Sequence, residues 1–300
     1  MSALTEESAG IGTETPFRRL AADFFASKLA AAGLVVFAAI LLVALLAPWI
    51  SPQNPYDLAA LDLLDGRLPP GSTSADGLVY WLGTDDQGRD MMSAIFYGLR
   101  TSLGVGVLSS IAALLLGGAL GLVAAYVGGR VETLIMRVVD LQLSLPAILV
   151  ALILVALLGH GVFKIVLALV VVQWAYYART IRASALVERR KEYIEAARCL
   201  ALSDARIMLH HLLPNCLPPV IVVATVQVAH AIALEATLSF LGIGLPITEP
   251  SLGLLIANGF EYMMSGKYWI SFFPGVALLI AIVSINLVGD RLRDVLNPRL

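Results

Sequence analysis

Side chains that could carry out catalysis or bind a metal are scarce in this sequence. Its 300 residues include four histidines and two cysteines. His210 and His211 are adjacent, which points them to different faces of a helix, whereas the HExxH motif of a zinc hydrolase places two histidines on one face. Cys199 and Cys216 lack the spacing of a CxxC motif. No nucleophile, histidine and acid stand at a suitable spacing either, so we expect neither a catalytic site nor a metal site.

Four polar residues interrupt long apolar stretches, and these are the candidates for function inside a membrane. They are Gln173, His230, Glu235 and Asn286. A carboxylate at membrane depth is costly unless it faces protein or water. Gln173 and Glu235 are therefore candidates for lining a translocation path. Two alternatives for Glu235 are a hydrogen bond to a neighbouring helix and a brace for a bend in its own helix.

The composition indicates what surrounds these residues. Hydrophobic residues make up 59% of the chain and charged residues 14%, with a mean hydropathy of +0.85, whereas an ordinary soluble domain has about 25% charged residues. The net charge of −2 provides no basic face for nucleic acid. Six stretches approach the roughly 20 apolar residues that cross a bilayer, so we expect an all-α polytopic membrane protein. The six predicted transmembrane helices comprise residues 29–50, 102–127, 141–158, 162–177, 217–244 and 270–288.

The distribution of Lys and Arg predicts the orientation of these helices. Fifteen of the 20 basic residues fall on one side if both termini are cytoplasmic. The predicted periplasmic loop, residues 51–101, has seven acids and three arginines. Residues 1–28 then form a cytoplasmic tail, in which Thr15-Pro16 opens a helix lying in the membrane interface. Residues 290–300 form a cytoplasmic C-terminus, and residues 102–289 form the membrane core.

The segment 190–213, between the fourth and fifth predicted transmembrane helices, is the most polar part of this core. Its pattern predicts an amphipathic helix from Arg190 to Ala201 and a second helix that starts at a Ser203 N-cap and ends at Pro214. The apolar face of the first helix would comprise Tyr193, Ile194, Ala197, Leu200 and Ala201. Leu202 would pack on Ile207 as a hydrophobic staple. Two short helices with a tight turn would suit docking by a soluble partner. The alternative is an ordinary loop between membrane helices.

The same segment resembles a known family. Glu195-Ala196-Ala197, followed by Ile207 and Leu213-Pro214, resembles the EAA coupling motif in permease subunits of bacterial ABC importers. Residues 82–90 and 97–103 resemble the segment before the second transmembrane helix in the dipeptide, oligopeptide and nickel branch of that family. Further matches in the same order are Arg137, Asp140, Pro146, residues 238–244, residues 273–275 and residues 286–294.

The resemblance implies a type I ABC importer transmembrane fold in the bacterial inner membrane. It implies that the two helices dock on a cytosolic ATPase, and that the partners are a second homologous permease, two ATP-binding subunits and a periplasmic or lipid-anchored binding protein. ATP and Mg would be bound by the ATPase subunits, because the only Gly-Lys pair here, Gly266-Lys267, lacks the other residues of a phosphate-binding loop. The residues implied in ATPase coupling are Glu192, Glu195, Ala196, Ala197, Arg198, Ala201, Ser203, Asp204, Ile207 and Pro214.

One position departs from the family pattern. Ala201 stands where relatives usually have glycine, and a left-handed backbone there is costly for a residue with a Cβ. We therefore expect either right-handed dihedral angles at Ala201 or a locally reshaped motif.

The dipeptide, oligopeptide and nickel branch implies di- or oligopeptides as substrates, with nickel complexes or other small solutes as an alternative. A stand-alone channel or an ion-driven carrier is the alternative from another class.

Overall fold

The computed structural model describes residues 16–57, 61–75, 77–246 and 248–296. Within these ranges the regular structure is helical apart from one short hairpin, in which β1 (Ser72–Thr73) pairs antiparallel with β2 (Val79–Tyr80). The helices are α1 (Pro16–Phe25), α2 (Lys28–Ile50), α3 (Met91–Val127), α4 (Gly129–Ser144), α5 (Ala147–Leu158), α6 (Val162–Glu188), α7 (Glu192–Cys199), α8 (Asp204–Arg206), α9 (Leu213–Phe240), α10 (Leu252–Phe260) and α11 (Trp269–Leu296).

The helix predicted before the first transmembrane segment is present. α1 begins at Pro16, the position that a proline favours because the first helical N–H needs no partner. The predicted cap Thr15 and the side chain of Phe17 lie outside the described residues. Arg291 of α11 donates a hydrogen bond to the backbone carbonyl of Asp23, which holds α1 against the last helix.

The helices confirm an all-α polytopic membrane protein. Five are long and apolar enough to cross a membrane: α2, α3, α6, the continuous helix Asp204–Phe240 and α11; α4 and α5 together would add a sixth. α6 continues well past the predicted end at residue 177. Its polar extension is stabilised because Arg179 pairs with Asp140 of α4 at 2.6 Å and Arg182 pairs with Glu132. The distribution of the connecting segments between the two sides of a membrane stays a prediction.

The prediction of a single transmembrane helix over residues 141–158 is wrong. α4 ends at Ser144, α5 begins at Ala147, and their axes are bent by 94°. Pro146 explains the break, since its ring disfavours the helical conformation of the residue before it. Leu145 accordingly has φ −89° and ψ 140°.

The prediction that a short helix ends at Pro214 is also wrong. The chain stays helical from Asp204 to Phe240, through a π-helical turn at Ile207–Leu212 and into α9. Pro214 lies in the first turn of α9, where the wider π turn precedes it and a missing N–H costs little. α9 then ends at Phe240, before the predicted limit at residue 244.

α3 is the central helix of the bundle and packs most closely on α6. A Cβ on Gly117 would lie 2.1 Å from the carbonyl oxygen of Trp174, and a Cβ on Gly121 would lie 2.4 Å from that of Ala178. These two glycines therefore let the backbones of α3 and α6 touch within one chain. Because no side chain separates the helices at these two points, we expect α3 and α6 to move together.

Candidate functional site

The polar segment between α6 and α9 forms a two-helix projection, which we define as α7 and residues 200–212. Ile194 and Ala197 of α7 are buried, and so are Ile207 and Leu212 of the following helix. All four belong to one hydrophobic cluster together with Tyr177 of α6 and residues from the C-terminal half of α3. The projection is thus helical and packed onto α3 and α6, as the apolar pattern predicts, and its docking role stays a prediction.

The turn between the two helices has a defined geometry. The N–H of Leu202 donates to the carbonyl of Ala197 at 3.3 Å, and the N–H of Ala201 donates to that of Arg198 at 2.9 Å. This pair of bonds is the Schellman motif, which normally has glycine in the left-handed position.

Ala201 occupies that left-handed position, with φ 52°. The expectation of right-handed dihedral angles or a reshaped motif is therefore wrong. The strain costs about 1–2 kcal/mol. It is offset because Leu202 packs against the same cluster as Ala197 and Ile207, which is the predicted staple. The side chain of Ser203 makes no capping hydrogen bond, so that part of the prediction is wrong.

The ten residues implied in ATPase coupling divide into two groups. Ala197 and Ile207 are buried and hold the projection on the bundle. The other eight are exposed: Glu192, Glu195, Ala196, Arg198, Ala201, Ser203, Asp204 and Pro214. Leu200, which the helical spacing places on the buried face, is 74% exposed because α7 ends at Cys199. The exposed surface therefore combines charged residues with the large apolar side chains of Leu200 and Leu209, a composition suited to a protein partner.

Hydrogen bonds connect the projection to the ends of α3 and α6. Tyr193 donates to Glu188 at the end of α6 at 2.7 Å, and burial, followed by this bond, raises the pKa of Tyr193 to about 12. Its hydroxyl therefore stays protonated as a donor at neutral pH. Tyr126, in the last turn of α3, donates to Asp204. The sequence does not reveal this second contact, because 78 positions separate its partners.

Gln173 and Glu235 lie inside the bundle with no exposed surface. Glu235 accepts hydrogen bonds from Ser102 of α3 and Ser239 of α9, both at 2.8 Å. Gln173 donates to the backbone carbonyl of Gln227 at 3.1 Å. Both side chains join neighbouring helices, which for Glu235 is the alternative of a hydrogen bond to a neighbouring helix. A role of Gln173 and Glu235 in lining a translocation path stays a prediction.

Two cavities in the bundle are lined by polar residues other than Gln173 and Glu235. A cavity of about 610 Å³ lies between α6, α9 and α11 and is lined in part by Tyr176, Gln227 and Arg293. A second cavity of about 380 Å³ shares Tyr176 and Gln227 with it and adds His230 and Asn286. The sequence identifies His230 and Asn286 only as polar residues within long apolar stretches. Which of the four polar residues face open space depends on helix rotation, and composition gives no information about that.

The bundle and its projection define a polytopic helical membrane protein. Two solved structures of the MetNI methionine ABC transporter in inward-facing conformations have this fold, with TM-scores of 0.55 and 0.56 at 21% sequence identity. Each match covers 68% of this chain and 97% of the other.

Sequence comparison identifies the family. Residues 113–300 match the family of binding-protein-dependent transport system inner membrane components, and residues 15–70 match the N-terminal transmembrane domain of oligopeptide transport permease C. The chain belongs to this family of binding-protein-dependent inner-membrane permeases.

Several relatives match over most of the chain. The di/tripeptide transport system permease protein of Pseudomonas aeruginosa is 36% identical, over 95% of this chain and 93% of its own. The dipeptide transport system permease protein of Bacillus subtilis is 36% identical, over 96% and 86%. A Brucella suis protein, named provisionally as a peptide transport system permease, is 42% identical, over 89% and 87%.

Proposed function

We propose that this chain is one of two permease subunits of an ATP-driven peptide importer and forms half of the translocation path for di- and oligopeptides. The names of the relatives support the substrate class. The proposed partners are a second homologous permease, two ATP-binding subunits that hydrolyse ATP, and a periplasmic or lipid-anchored binding protein. The protein would then lie in the inner membrane of the cell, with both of its termini in the cytoplasm.

The exposed face of the projection is the observation that carries this proposal. Glu192, Glu195 and Arg198 are exposed on α7, while Ile194 and Ala197 of the same helix are buried in the bundle. A partner that pushes on the exposed face must move the cluster beneath it, because tightly packed interiors transmit displacement. ATPase subunits that close and open would in this way drive α3 and α6 between inward-open and outward-open arrangements.

Reversal of one charge tests the docking surface. In the permease co-expressed with its ATPase and partner permease, we expect Glu195→Lys to leave membrane insertion intact. It should lower peptide uptake at least about tenfold, since an unfavourable charge at an interface costs more than about 1.4 kcal/mol. Glu261→Lys is the matched control, because Glu261 is exposed at the end of α10, outside the projection. Wild-type uptake and ATPase recovery with Glu195→Lys would contradict the proposed docking role.

Two further outcomes separate the alternatives. Uptake by vesicles that hold the purified chain, with neither ATPase nor ATP, would indicate a stand-alone channel or an ion-driven carrier. Competition settles the substrate class: labelled dipeptide uptake that excess peptide suppresses and excess nickel complex does not suppress supports the peptide proposal. The reverse pattern would indicate the nickel alternative.

A further inference from the structure

Tyr126 is the point where three separate parts of the chain meet. It lies in the last turn of α3, and its hydroxyl donates to Asp204 at the start of α8. The guanidinium of Arg198, from α7, lies 5.7 Å from the centre of its ring, and that of Arg189, just after α6, lies 6.0 Å from it. One side chain therefore contacts both helices of the projection and the end of α6.

The backbone around Tyr126 is fixed on the bundle side. Arg189 also donates from Nη1 to the carbonyl of Ala125 at 2.8 Å, which supplies a partner to one of the free carbonyls at the end of α3. Ala125 is buried, and Gly121 is in backbone contact with α6. A force applied to the Tyr126 side chain must therefore act on α3 and α6 together.

The links on the other side are of a different kind. Asp204 and Arg198 are exposed and belong to the surface that the proposed function assigns to the ATPase. Hydrogen bonds and cation–π contacts at exposed sites are individually weak, so they can change partners at low cost. Buried apolar contacts hold the projection on the bundle, whereas the polar contacts of Tyr126 link its exposed residues Asp204 and Arg198 to the end of α3.

We propose that Tyr126 is a positioning residue that couples the two-helix projection to α3, so that movement of α7 and α8 is transmitted to the membrane bundle. The proposal rests on the function proposed above. It predicts a loss of coupling rather than a loss of assembly when the hydroxyl is removed, because the ring and the buried cluster stay in place.

The experiment compares two hydroxyl deletions on the complete importer in vesicles. We expect Tyr126→Phe to raise the ATP hydrolysed per peptide taken up by about three- to tenfold, a change that lies within the range for residues in a coupling network. The ATPase should still co-purify with this variant. Tyr56→Phe is the matched control, since it removes an exposed tyrosine hydroxyl, paired with Thr101, that lies outside the projection. Its coupling ratio should stay within about twofold of wild type.

A second pair of variants tests the bond itself. Asp204→Asn keeps an acceptor oxygen and should leave the coupling ratio near wild type, whereas Asp204→Ala should raise it as Tyr126→Phe does. The double variant Tyr126→Phe with Asp204→Ala should be no worse than the more affected single variant.

The outcomes separate this inference from the function on which it rests. Wild-type coupling in Tyr126→Phe, with uptake still dependent on ATP and still sensitive to Glu195→Lys, would overturn only the role of Tyr126. A parallel fall of uptake and recovered ATPase, at an unchanged ratio, would show that Tyr126 serves assembly and would also overturn it. Uptake by the wild-type complex without ATP would overturn the proposed function instead.

Discussion

The two ends of α3 have opposite surroundings. At the N-terminal end, Asp90 is buried and accepts hydrogen bonds from the backbone N–H and the hydroxyl of Ser93 at 2.8 and 2.6 Å. Just before it, Asp85 and Arg89 form an ion pair at 2.6 Å in which neither side chain is exposed. Trp269 of α11 donates to the carbonyl of Thr84 at 3.2 Å, so this loop is also fixed to the last helix.

The C-terminal end of α3 has the same kinds of interaction, but with exposed partners. Tyr126 donates to exposed Asp204, much as Tyr80 in the loop before α3 donates to buried Asp65 at 2.8 Å. Tyr80 is only 2% exposed, and burial, followed by its bond to Asp65, raises its pKa to about 12. Both tyrosine–carboxylate pairs connect segments distant in sequence, but only one of them is shielded from water.

The difference separates a fixed end from an adjustable one. Removing one member of a buried polar pair leaves the other without compensation, so buried pairs do not exchange partners readily. Exposed pairs lose little when they break, because water replaces the partner. We infer that the segment before α3 holds the N-terminal end of that helix in place, whereas the projection at its other end can change position during a transport cycle.

Removal of the buried Arg89 cation tests the N-terminal end of α3 and should have the largest effect on the free energy of unfolding. Arg89→Ala leaves the Asp85 carboxylate buried without its cation, and we expect a loss of about 3–5 kcal/mol in the free energy of unfolding. The measurement is the unfolding of the purified permease complex in mixed micelles. Arg100→Ala removes the same charge from an exposed position of α3 and should leave stability near wild type. Equal losses in the two variants would contradict a buried structural role for the ion pair.

The helix cap provides a smaller and more local test. Asp90→Ala removes the side chain that caps α3, and we expect a loss of about 1–2 kcal/mol with faster hydrogen exchange at the first amides of α3. Asp62→Ala is the comparison, because Asp62 caps the short helical turn Leu63–Asp65 from an exposed position. It should cost less. If Asp62→Ala proved the more damaging change, the distinction between buried and exposed contacts would lose its support.

The sequence predicts the helices of this molecule better than their breaks and contacts. Apolar length identifies the membrane-crossing elements, because the hydrocarbon thickness sets it directly. Proline is ambiguous by contrast: Pro146 separates two helices, whereas Pro214 sits inside a continuous one. A π turn precedes Pro214 but not Pro146, and its residues Ile207 and Leu212 pack in one cluster with residues of α3 and α6.

The candidate site shows the same limit. The EAA-like motif locates the projection. Of the five residues that its helical spacing places on one apolar face, Ile194 and Ala197 are buried, whereas Tyr193, Leu200 and Ala201 are exposed. Tyr126 could not be predicted, because its partner Asp204 is brought close only by the packing of distant helices. Ala201 contradicts the local rule, since the packing of Leu202 keeps an alanine in a conformation that alanine alone avoids.

The smallest predicted effect concerns this strained turn. Ala201→Gly should stabilise the end of α7 by about 0.5–1 kcal/mol, because glycine adopts a positive φ without the clash of a Cβ but gains freedom in the unfolded chain. Ala196→Gly, the same substitution in the middle of α7, should instead destabilise it by about 0.5–1 kcal/mol. Hydrogen exchange of the α7 amides measures both. Opposite signs would place the strain at Ala201, whereas two losses would show that the packing of Leu202 has already relieved it.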